Sequence, residues 1–220
     1  MAYEVYWGSG SPYAWRVLLA LTVKGIPFES KLLQFSRGDH KTPEFLAMNP
    51  RGRVPVLKDA ERVVYESLAI MSYIEKLHPT PPLFGETAGE TAAVWQTVME
   101  VDHYLGPLQE ELVARVFAND TKGHEDALHG IVKQVREELS IHDGRLARQA
   151  YLAGPRLTAA DLVLYPTLML IGRVGTRDTA LSVGLGLETL RADHANVDRW
   201  ARAIESLSGY DATYPPHWRS

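Results

Sequence analysis

The sequence changes character at a cluster of prolines within residues 79–82. Because proline has no backbone N–H and a fixed φ, this cluster cannot continue a helix and forms a stiff linker. Short β-prone runs alternate with helical patterns before it, whereas only helical patterns follow it. The sequence therefore predicts an α/β domain over residues 1–78, a linker over 79–87 and an all-helical domain over 88–220.

The first domain reads as the order βαβ-α-ββα. Strands are predicted at residues 3–7, 28–34, 54–57 and 62–65, with Lys58-Asp59-Ala60-Glu61 as a hairpin turn between the last two. The first helix begins after Ser11, a good N-cap residue that Pro12 follows, and it ends at Gly25. Further helices are predicted at residues 43–48 and 66–78.

The second domain shows helical periodicity along most of its length. We expect one long helical stretch over residues 88–118, kinked at Gly106-Pro107. An amphipathic pattern from Leu128 to Leu146 predicts the next helix. Residues 159–172 are apolar nearly all round, which is typical of a helix in the middle of a bundle, and residues 196–207 form another amphipathic helix.

The composition excludes several classes of function. The 220 residues contain no cysteine, which excludes disulfides, thiolate-ligated zinc and a cysteine nucleophile, so any thiol chemistry uses a borrowed thiol. A net charge of −4 argues against a nucleic-acid partner. No secretory signal and no apolar stretch of transmembrane length is visible, so the expectation is a cytoplasmic protein with no membrane partner. The eight histidines show no metal-ligand spacing, and no metal is expected.

Ser11 is the most informative residue for chemistry. A serine at this position caps the helix more often than it reacts. However, a helix N-terminus carries partial positive charge, and a hydroxyl there can donate a hydrogen bond to an anion such as a thiolate. Both the structural and the catalytic interpretation stay open on this residue alone.

Two further pairs of residues have a structural and a functional interpretation. Val54-Pro55 is either an ordinary edge-strand proline or a cis-proline that turns the backbone of Val54 toward an extended peptide ligand. Glu66 and Ser67 either begin a helix or hold the two charged groups of a ligand, Ser67 a carboxylate and Glu66 an ammonium. Only their combination with Ser11 favours the functional interpretation.

Three segments carry a resemblance to a known family. SPYAWRVLLALTVKGIPFE, NPRGRVPVL and YESLAIMSYIEKLHP are similar to the N-terminal domain of the cytosolic glutathione transferases. Downstream, the helix start at Thr158 and Asp161 also matches the family, with the pair placed as in a capping box. The resemblance implies a thioredoxin-like domain followed by an all-helical domain, in a homodimer.

The resemblance also implies the site. Ser11 would stabilise the glutathione thiolate, as in the serine-using theta, zeta, phi and tau-like classes or in bacterial transferases. Val54 would pair its backbone with the cysteinyl unit beside cis-Pro55. The γ-glutamyl end would be held by Glu66 and Ser67, and the glycine carboxylate by His40 and Arg53. Positions 11–13 read Ser-Pro-Tyr rather than the Ser-Ser-Cys of the zeta isomerases, which weakens an isomerase of that class.

The second substrate would be a small hydrophobic electrophile in a pocket facing Ser11. Its predicted walls are Tyr13, Met99, His103, Tyr104 and Tyr165, although each residue is as well explained by ordinary packing. Two alternatives stay open: a specialised glutathione-dependent isomerase, dehalogenase or ether-cleaving enzyme, and a non-catalytic binding module of the same fold. The C-terminal YPPHW motif suggests no function at this stage.

Overall fold

In the computed structural model, which describes residues 3–219 and leaves residues 1, 2 and 220 outside, four strands form one mixed sheet. The strands are Tyr3–Gly8 (β1), Phe28–Leu33 (β2), Val56–Asp59 (β3) and Arg62–Tyr65 (β4). Their order across the sheet is β2-β1-β3-β4. β1 runs parallel to β2 and antiparallel to β3, and β3 and β4 are antiparallel neighbours.

Three helices connect or cover these strands: Pro12–Val23 (α1), Pro43–Met48 (α2) and Ser67–Leu77 (α3). The order along the chain is thus βαβ-α-ββα, and the predicted thioredoxin-like arrangement is confirmed. α1 and α3 lie against each other, and Ile70 and Ile74 of α3 are fully buried, as are Val5 and Leu57 of the sheet. This core gives the loops at the ends of the strands a rigid support.

In the hairpin, both ends of β3 lie two residues later than predicted. β3 begins at Val56 rather than Val54, and it runs through Lys58 and Asp59, which the sequence placed in the turn. Pro55 has no N–H to donate to a ladder, so the pairing starts after it. At the other end Asp59 pairs with Arg62, which leaves a two-residue turn.

The proline linker is tied to the first unit by a buried ion pair. Lys24 Nζ lies 2.7 Å from a carboxylate oxygen of Glu75 and donates to the carbonyl oxygens of His78 and Pro81 at 2.6 and 2.7 Å. The same carboxylate accepts the backbone N–H of Leu83 at 3.1 Å. The linker therefore has its own anchoring contacts and is not a free tether.

The second unit consists of helices. Their bounds are Ala88–Glu100 (α4), Gly106–Phe117 (α5), Glu125–Leu146 (α6), Ala159–Gly175 (α7), Asp178–Ser182 (α8) and Ala195–Glu205 (α9). α7 is buried along nearly its whole length, as its apolar composition predicts. α8 was not predicted, because five residues are too few to show a helical period.

The predicted kink at Gly106-Pro107 takes the form of a π-helical turn over Val101–Leu105. The N–H of Gly106 donates to the carbonyl of Val101, five residues earlier, instead of four. Pro107 has no N–H, and its ring would collide with the carbonyl four residues before it in a regular helix. The wider turn removes that collision, so the expected single helical stretch is divided into α4 and α5.

The described chain divides into two compact units. One contains residues 3–84 together with residues 206–219, and the other is Gly85–Glu205. The C-terminal segment, which includes the short helix Tyr210–Thr213 (α10), thus packs with the first unit. The predicted domain bounds of 1–78, 79–87 and 88–220 themselves stay a prediction.

Candidate functional site

The turn between β1 and α1 ends at Ser11. The backbone N–H of Ser11 donates to Gly8 O at 3.1 Å, and Ser11 Oγ accepts the N–H of Ala14 at 3.2 Å. Gly10 has a φ of +83°, a conformation that glycine adopts without steric penalty. Pro12 occupies the first helical position. The capping role that the sequence predicts for Ser11 is therefore confirmed.

Capping and anion binding use different parts of the same hydroxyl. The hydrogen bond from Ala14 engages Ser11 Oγ as an acceptor, so the hydroxyl proton can still be donated to a ligand. Ser11 is half-buried at the N-terminus of a 12-residue helix, where the backbone dipoles favour negative charge. The two interpretations of this serine are thus compatible.

A second loop, residues 49–53, is shaped by one buried side chain. Asn49 is 1% exposed, its Nδ2 donates to Arg53 O at 2.7 Å, and its Oδ1 accepts the N–H of Arg51 at 3.1 Å. Gly52 has a φ of +58°, and a Cβ there would lie 2.8 Å from the carbonyl oxygen of His40. These contacts stabilise the loop, which leads directly into Val54.

The Val54–Pro55 peptide bond is cis, as the functional interpretation of this pair predicts. Pro55 is buried, whereas Val54 is partly exposed. Both residues precede Val56, the first paired residue of β3, so the backbone of Val54 lies outside the ladder of the sheet.

The start of α3 contains a strained residue. Glu66 has a φ of +69° and a ψ of 117°, which is rare for a residue with a side chain and costs of order ~1–3 kcal/mol. The carboxylate of Glu66 is exposed, while Ser67, the first residue of the helix, is only 6% exposed. Strain of this kind marks functional sites when the surrounding structure maintains it. The sequence did not indicate it.

These loops meet at an open cleft within the first unit. The residues that line it come from three separate parts of the chain: Tyr13, Asn49, Arg53, Val54, Pro55, Glu66 and Ser67. Five of them are among the six residues predicted for glutathione. Asn49 was not predicted, although the NPRGRVP segment that contains it carried the resemblance. Tyr13, predicted for the electrophile, lies in the same cleft.

Ser11 and His40 are not among the lining residues, although Ser11 is close to one of them in the chain and the carbonyl oxygen of His40 lies against Gly52, the residue before Arg53. Ser11 stands two residues before Tyr13 on the first turn of α1. His40 is half-buried, and its ring packs edge-on against Phe35 with the ring centroids 5.0 Å apart. Its Nδ1 is buried and has no hydrogen-bond partner among residues 3–219. The glycine-carboxylate role of His40 stays a prediction.

The other residues predicted for the electrophile belong to the helical unit. His103 and Tyr104 are exposed in the π-helical turn, and Met99 is half-buried one turn earlier. Tyr165 is fully buried in α7, where its ring packs against Trp200 with centroids 6.1 Å apart. Core packing accounts for Tyr165, and the electrophile pocket as a whole stays a prediction.

Within residues 3–219, no group of three or more potential metal ligands is brought together. In the same part of the chain, no helix has the length and apolar character needed to cross a bilayer.

The comparisons with known proteins agree on one family. The family model for the glutathione S-transferase N-terminal domain matches residues 10–77, and the model for the C-terminal domain matches residues 125–203. Glutathione S-transferase 1 of Dianthus caryophyllus is 34% identical over 168 residues, which cover 76% of this chain and 76% of the relative. Glutathione S-transferase F10 of Arabidopsis thaliana is 32% identical over 166 residues, with 73% of this chain and 77% of the relative covered.

Solved structures extend the likeness to the whole chain. The crystal structure of a glutathione S-transferase from the Antarctic clam Laternula elliptica superposes with a TM-score of 0.85 at 31% identity, covering 100% of this chain and 95% of the other. The sequence relatives, the two family models and this fold lead to the same conclusion: the chain belongs to the glutathione S-transferase family.

Proposed function

We propose that this protein binds glutathione in the cleft of the first unit, stabilises its thiolate with the hydroxyl of Ser11 and transfers it to small hydrophobic electrophiles. One observation carries the proposal. The cleft assembles Arg53, Val54 and Glu66 with Ser67 from distant parts of the chain, beside the first turn of the helix that Ser11 caps.

The chemistry of the cleft matches a γ-glutamyl tripeptide. Ser67 and the N-terminal amides of α3 suit the γ-glutamyl carboxylate, and the exposed Glu66 carboxylate suits its ammonium group. The backbone of Val54 offers polar groups to the cysteinyl unit. Arg53, together with His40, supplies the basic groups for the glycine carboxylate.

The required stabilisation is modest. A free thiol has a pKa near ~8.5, and each unit by which the pKa falls corresponds to about 1.4 kcal/mol of preference for the thiolate. A hydroxyl donor to an anion contributes roughly 1.5–3 kcal/mol, and a helix N-terminus contributes about 0.3–1 kcal/mol. Together they lower the thiol pKa by about one to three units. Bringing the thiolate and the electrophile together provides much of the remaining rate.

The finer assignments follow from the resemblance. The chain is a serine-type transferase of the tau, zeta or theta-like classes or a bacterial equivalent, and it works as a cytoplasmic homodimer without a metal. A specialised isomerase, dehalogenase or ether-cleaving activity would use the same thiolate with a different electrophile. A panel of electrophiles distinguishes these activities, and light scattering measures the oligomeric state.

Substitution of Ser11 tests the proposal. In Ser11→Ala, we expect kcat to fall about 10- to 100-fold and the pKa of bound glutathione to rise by about one to two units, because the thiolate loses its donor. The affinity for glutathione should stay within about twofold, since the remaining contacts are unchanged. The pH–rate profile and the ultraviolet absorbance of the thiolate measure these quantities.

Ser67→Ala is the matched control. This change should raise KM for glutathione and leave the thiol pKa unaltered, because Ser67 lines the cleft at the other end of the ligand. Circular dichroism checks that Ser11→Ala, which also loses a helix cap of about 1 kcal/mol, is folded. An unaltered pH profile in folded Ser11→Ala would overturn the role of Ser11, and retention on a glutathione column tests the binding separately.

A further inference from the structure

The C-terminal segment, residues 206–219, packs on α1 through aromatic side chains. Trp15, on the second turn of α1, is 2% exposed. The centroid of its ring lies 5.6 Å from the ring centroid of Tyr214 and 5.6 Å from that of Trp218, both in edge-to-face geometry. The ring centroid of Tyr210 is 6.4 Å away. Such aromatic pairs add stability beyond the area that they bury.

A buried hydrogen bond fixes the register of this packing. Trp15 Nε1 donates to Thr213 Oγ1 at 2.9 Å, and Thr213 Oγ1 in turn donates to Tyr210 O at 2.8 Å. Thr213 is 2% exposed. Because a buried indole N–H is costly to leave without a partner, the segment is held in one position along α1.

In this position the end of the segment reaches the turn that precedes Ser11. His217 Nδ1 and Ser9 Oγ lie 2.5 Å apart in a hydrogen bond. A Cβ on Gly10 would lie 2.9 Å from His217 Cε1 and 3.3 Å from Trp218 Nε1, so both rings pack directly on the glycine backbone. The contact therefore covers the two residues immediately before Ser11.

We infer that His217 is a positioning residue for Ser11, acting through its hydrogen bond to Ser9. The inference rests on the proposed role of Ser11. Gly10, with its φ of +83°, is the most permissive residue of this turn, and the His217 ring restricts it from one side. The YPPHW motif, which has no other assigned role, is thus part of the support of the active site.

The physical reason is the sensitivity of the hydroxyl to small displacements. A hydroxyl stabilises the thiolate only when its distance to the sulfur is within a few tenths of an ångström of the best value and the hydrogen-bond angle is within a narrow range. Glutathione itself is bound by the residues that line the cleft, and His217 is not one of them. Loosening the turn should therefore weaken thiolate stabilisation without weakening the binding of glutathione.

The experiment is a double-mutant cycle on Ser9 and His217. We expect His217→Ala and Ser9→Ala each to lower kcat by about three- to tenfold and to raise the pKa of bound glutathione by about half a unit to one unit, with KM for glutathione within about twofold. The double variant should be no worse than either single variant, because both remove the same hydrogen bond. His217→Asn, whose amide can replace Nδ1 as a partner of Ser9, should recover most of the activity.

Asp211→Asn is the control on the same segment, because Asp211 is exposed and its carboxylate lies 3.7 Å from Arg219, on the same segment. It should leave kcat and the thiol pKa unaltered. If Ser9→Ala leaves the thiol pKa unaltered while His217→Ala raises it, the imidazole acts without Ser9, and the positioning role through Ser9 is wrong. Additive effects in the double variant would contradict it in the same way.

Ser11→Ala separates this inference from the proposed function. If Ser11→Ala raises the thiol pKa and the Ser9 and His217 variants do not, only the positioning role fails. If Ser11→Ala has no effect either, the role of Ser11 itself fails.

Discussion

Each unit of the protein uses a fully buried polar side chain to hold a segment of backbone, but the two serve different ends. Asn49, in the first unit, is 1% exposed and holds a loop whose outer face lines the cleft. Asp161, in the helical unit, is 0% exposed and holds the start of α7 inside the core. One shapes a surface for a ligand, and the other stabilises the fold.

Both carboxylate oxygens of Asp161 accept two hydrogen bonds each. Its Oδ1 accepts from the N–H of Leu152 and from Trp200 Nε1, both at 2.9 Å, and its Oδ2 accepts from the N–H and the hydroxyl of Thr158 at 2.8 and 3.1 Å. By contrast, the cleft of the first unit contains the strained Glu66 and exposed charged side chains. The charged groups that line the cleft are left accessible, whereas the buried carboxylate of Asp161 is satisfied by four donors within its own unit.

Removing the buried carboxylate should have the largest effect. In Asp161→Ala, four donors lose their acceptor in the core, so we expect the free energy of unfolding to fall by about 3–5 kcal/mol. Urea unfolding followed by circular dichroism measures the change. Asp161→Asn keeps one acceptor oxygen, so its free energy of unfolding should lie between those of Asp161→Ala and the native protein. A loss below about 1 kcal/mol in Asp161→Ala would show that these hydrogen bonds are not critical.

A smaller loss of stability, but a larger loss of function, is expected at Asn49. In Asn49→Ala, the free energy of unfolding should fall by about 2–3 kcal/mol, because Arg53 O and the N–H of Arg51 lose their partner. KM for glutathione should rise about tenfold as the loop before Val54 loses its fixed shape. Asn49→Asp keeps only the acceptor, so its stability and its KM should lie between those of Asn49→Ala and the native protein. Equal KM values for Asn49→Ala and the native protein would contradict the comparison with Asp161.

The smallest expected effect is on the pH dependence of stability, through a buried histidine that does not line the cleft. His142 is 1% exposed, and neither ring nitrogen has a hydrogen-bond partner among residues 3–219. Burial, with a further contribution from Arg145, lowers the pKa of His142 to about 4 from its usual value of 6.5. The unfolded chain therefore takes up a proton near pH 6.5, which the folded chain accepts only near pH 4.

The contribution of neutral His142 to the free energy of unfolding is thus fully present above pH 6.5, and it is lost as the pH falls toward 4. We expect the free energy of unfolding to drop by about 1–2 kcal/mol between about pH 6.5 and 5 through His142 alone. His142→Phe should flatten that part of the stability profile, measured by urea unfolding at several pH values. His103→Phe, at an exposed histidine, is the control. The idea fails if both variants keep the native profile.

The outline of the fold could be predicted because local patterns agree with it. Ser11 and Pro12 mark the start of α1, and the alternation of strands and helices gives the order βαβ-α-ββα. The bounds of β3 could not be predicted, since Lys58 and Asp59 look like turn residues until their pairing with β4 is known. The π-helical turn before Pro107 depends on how the helix relieves a steric conflict, and periodicity does not contain that information.

The structure brings together most of the residues predicted for glutathione, although details of their arrangement were not predicted. Arg53, Val54, Pro55, Glu66 and Ser67 line one cleft, as the resemblance implied. The positive φ of Glu66 and the two hydrogen bonds of Asn49 were not predicted, because the identity of a residue specifies neither a left-handed conformation nor the partners of its side chain. The same holds for His217, which is 208 residues from Ser9 in the chain but hydrogen-bonded to it.

The sequence alone determined which segments become strands and helices, where the chain changes from α/β to helical, and which family it belongs to by resemblance. These properties depend on residues that are close together in the chain. Only the tertiary structure decided that the C-terminal segment covers the turn before Ser11 and that Asn49 shapes the cleft. His217 and Ser9 meet only after the core has formed, so no local pattern specifies their contact. The hydrogen bonds of Asn49 are local, but they shape a cleft only because the fold brings its loop together with Glu66 and Ser67.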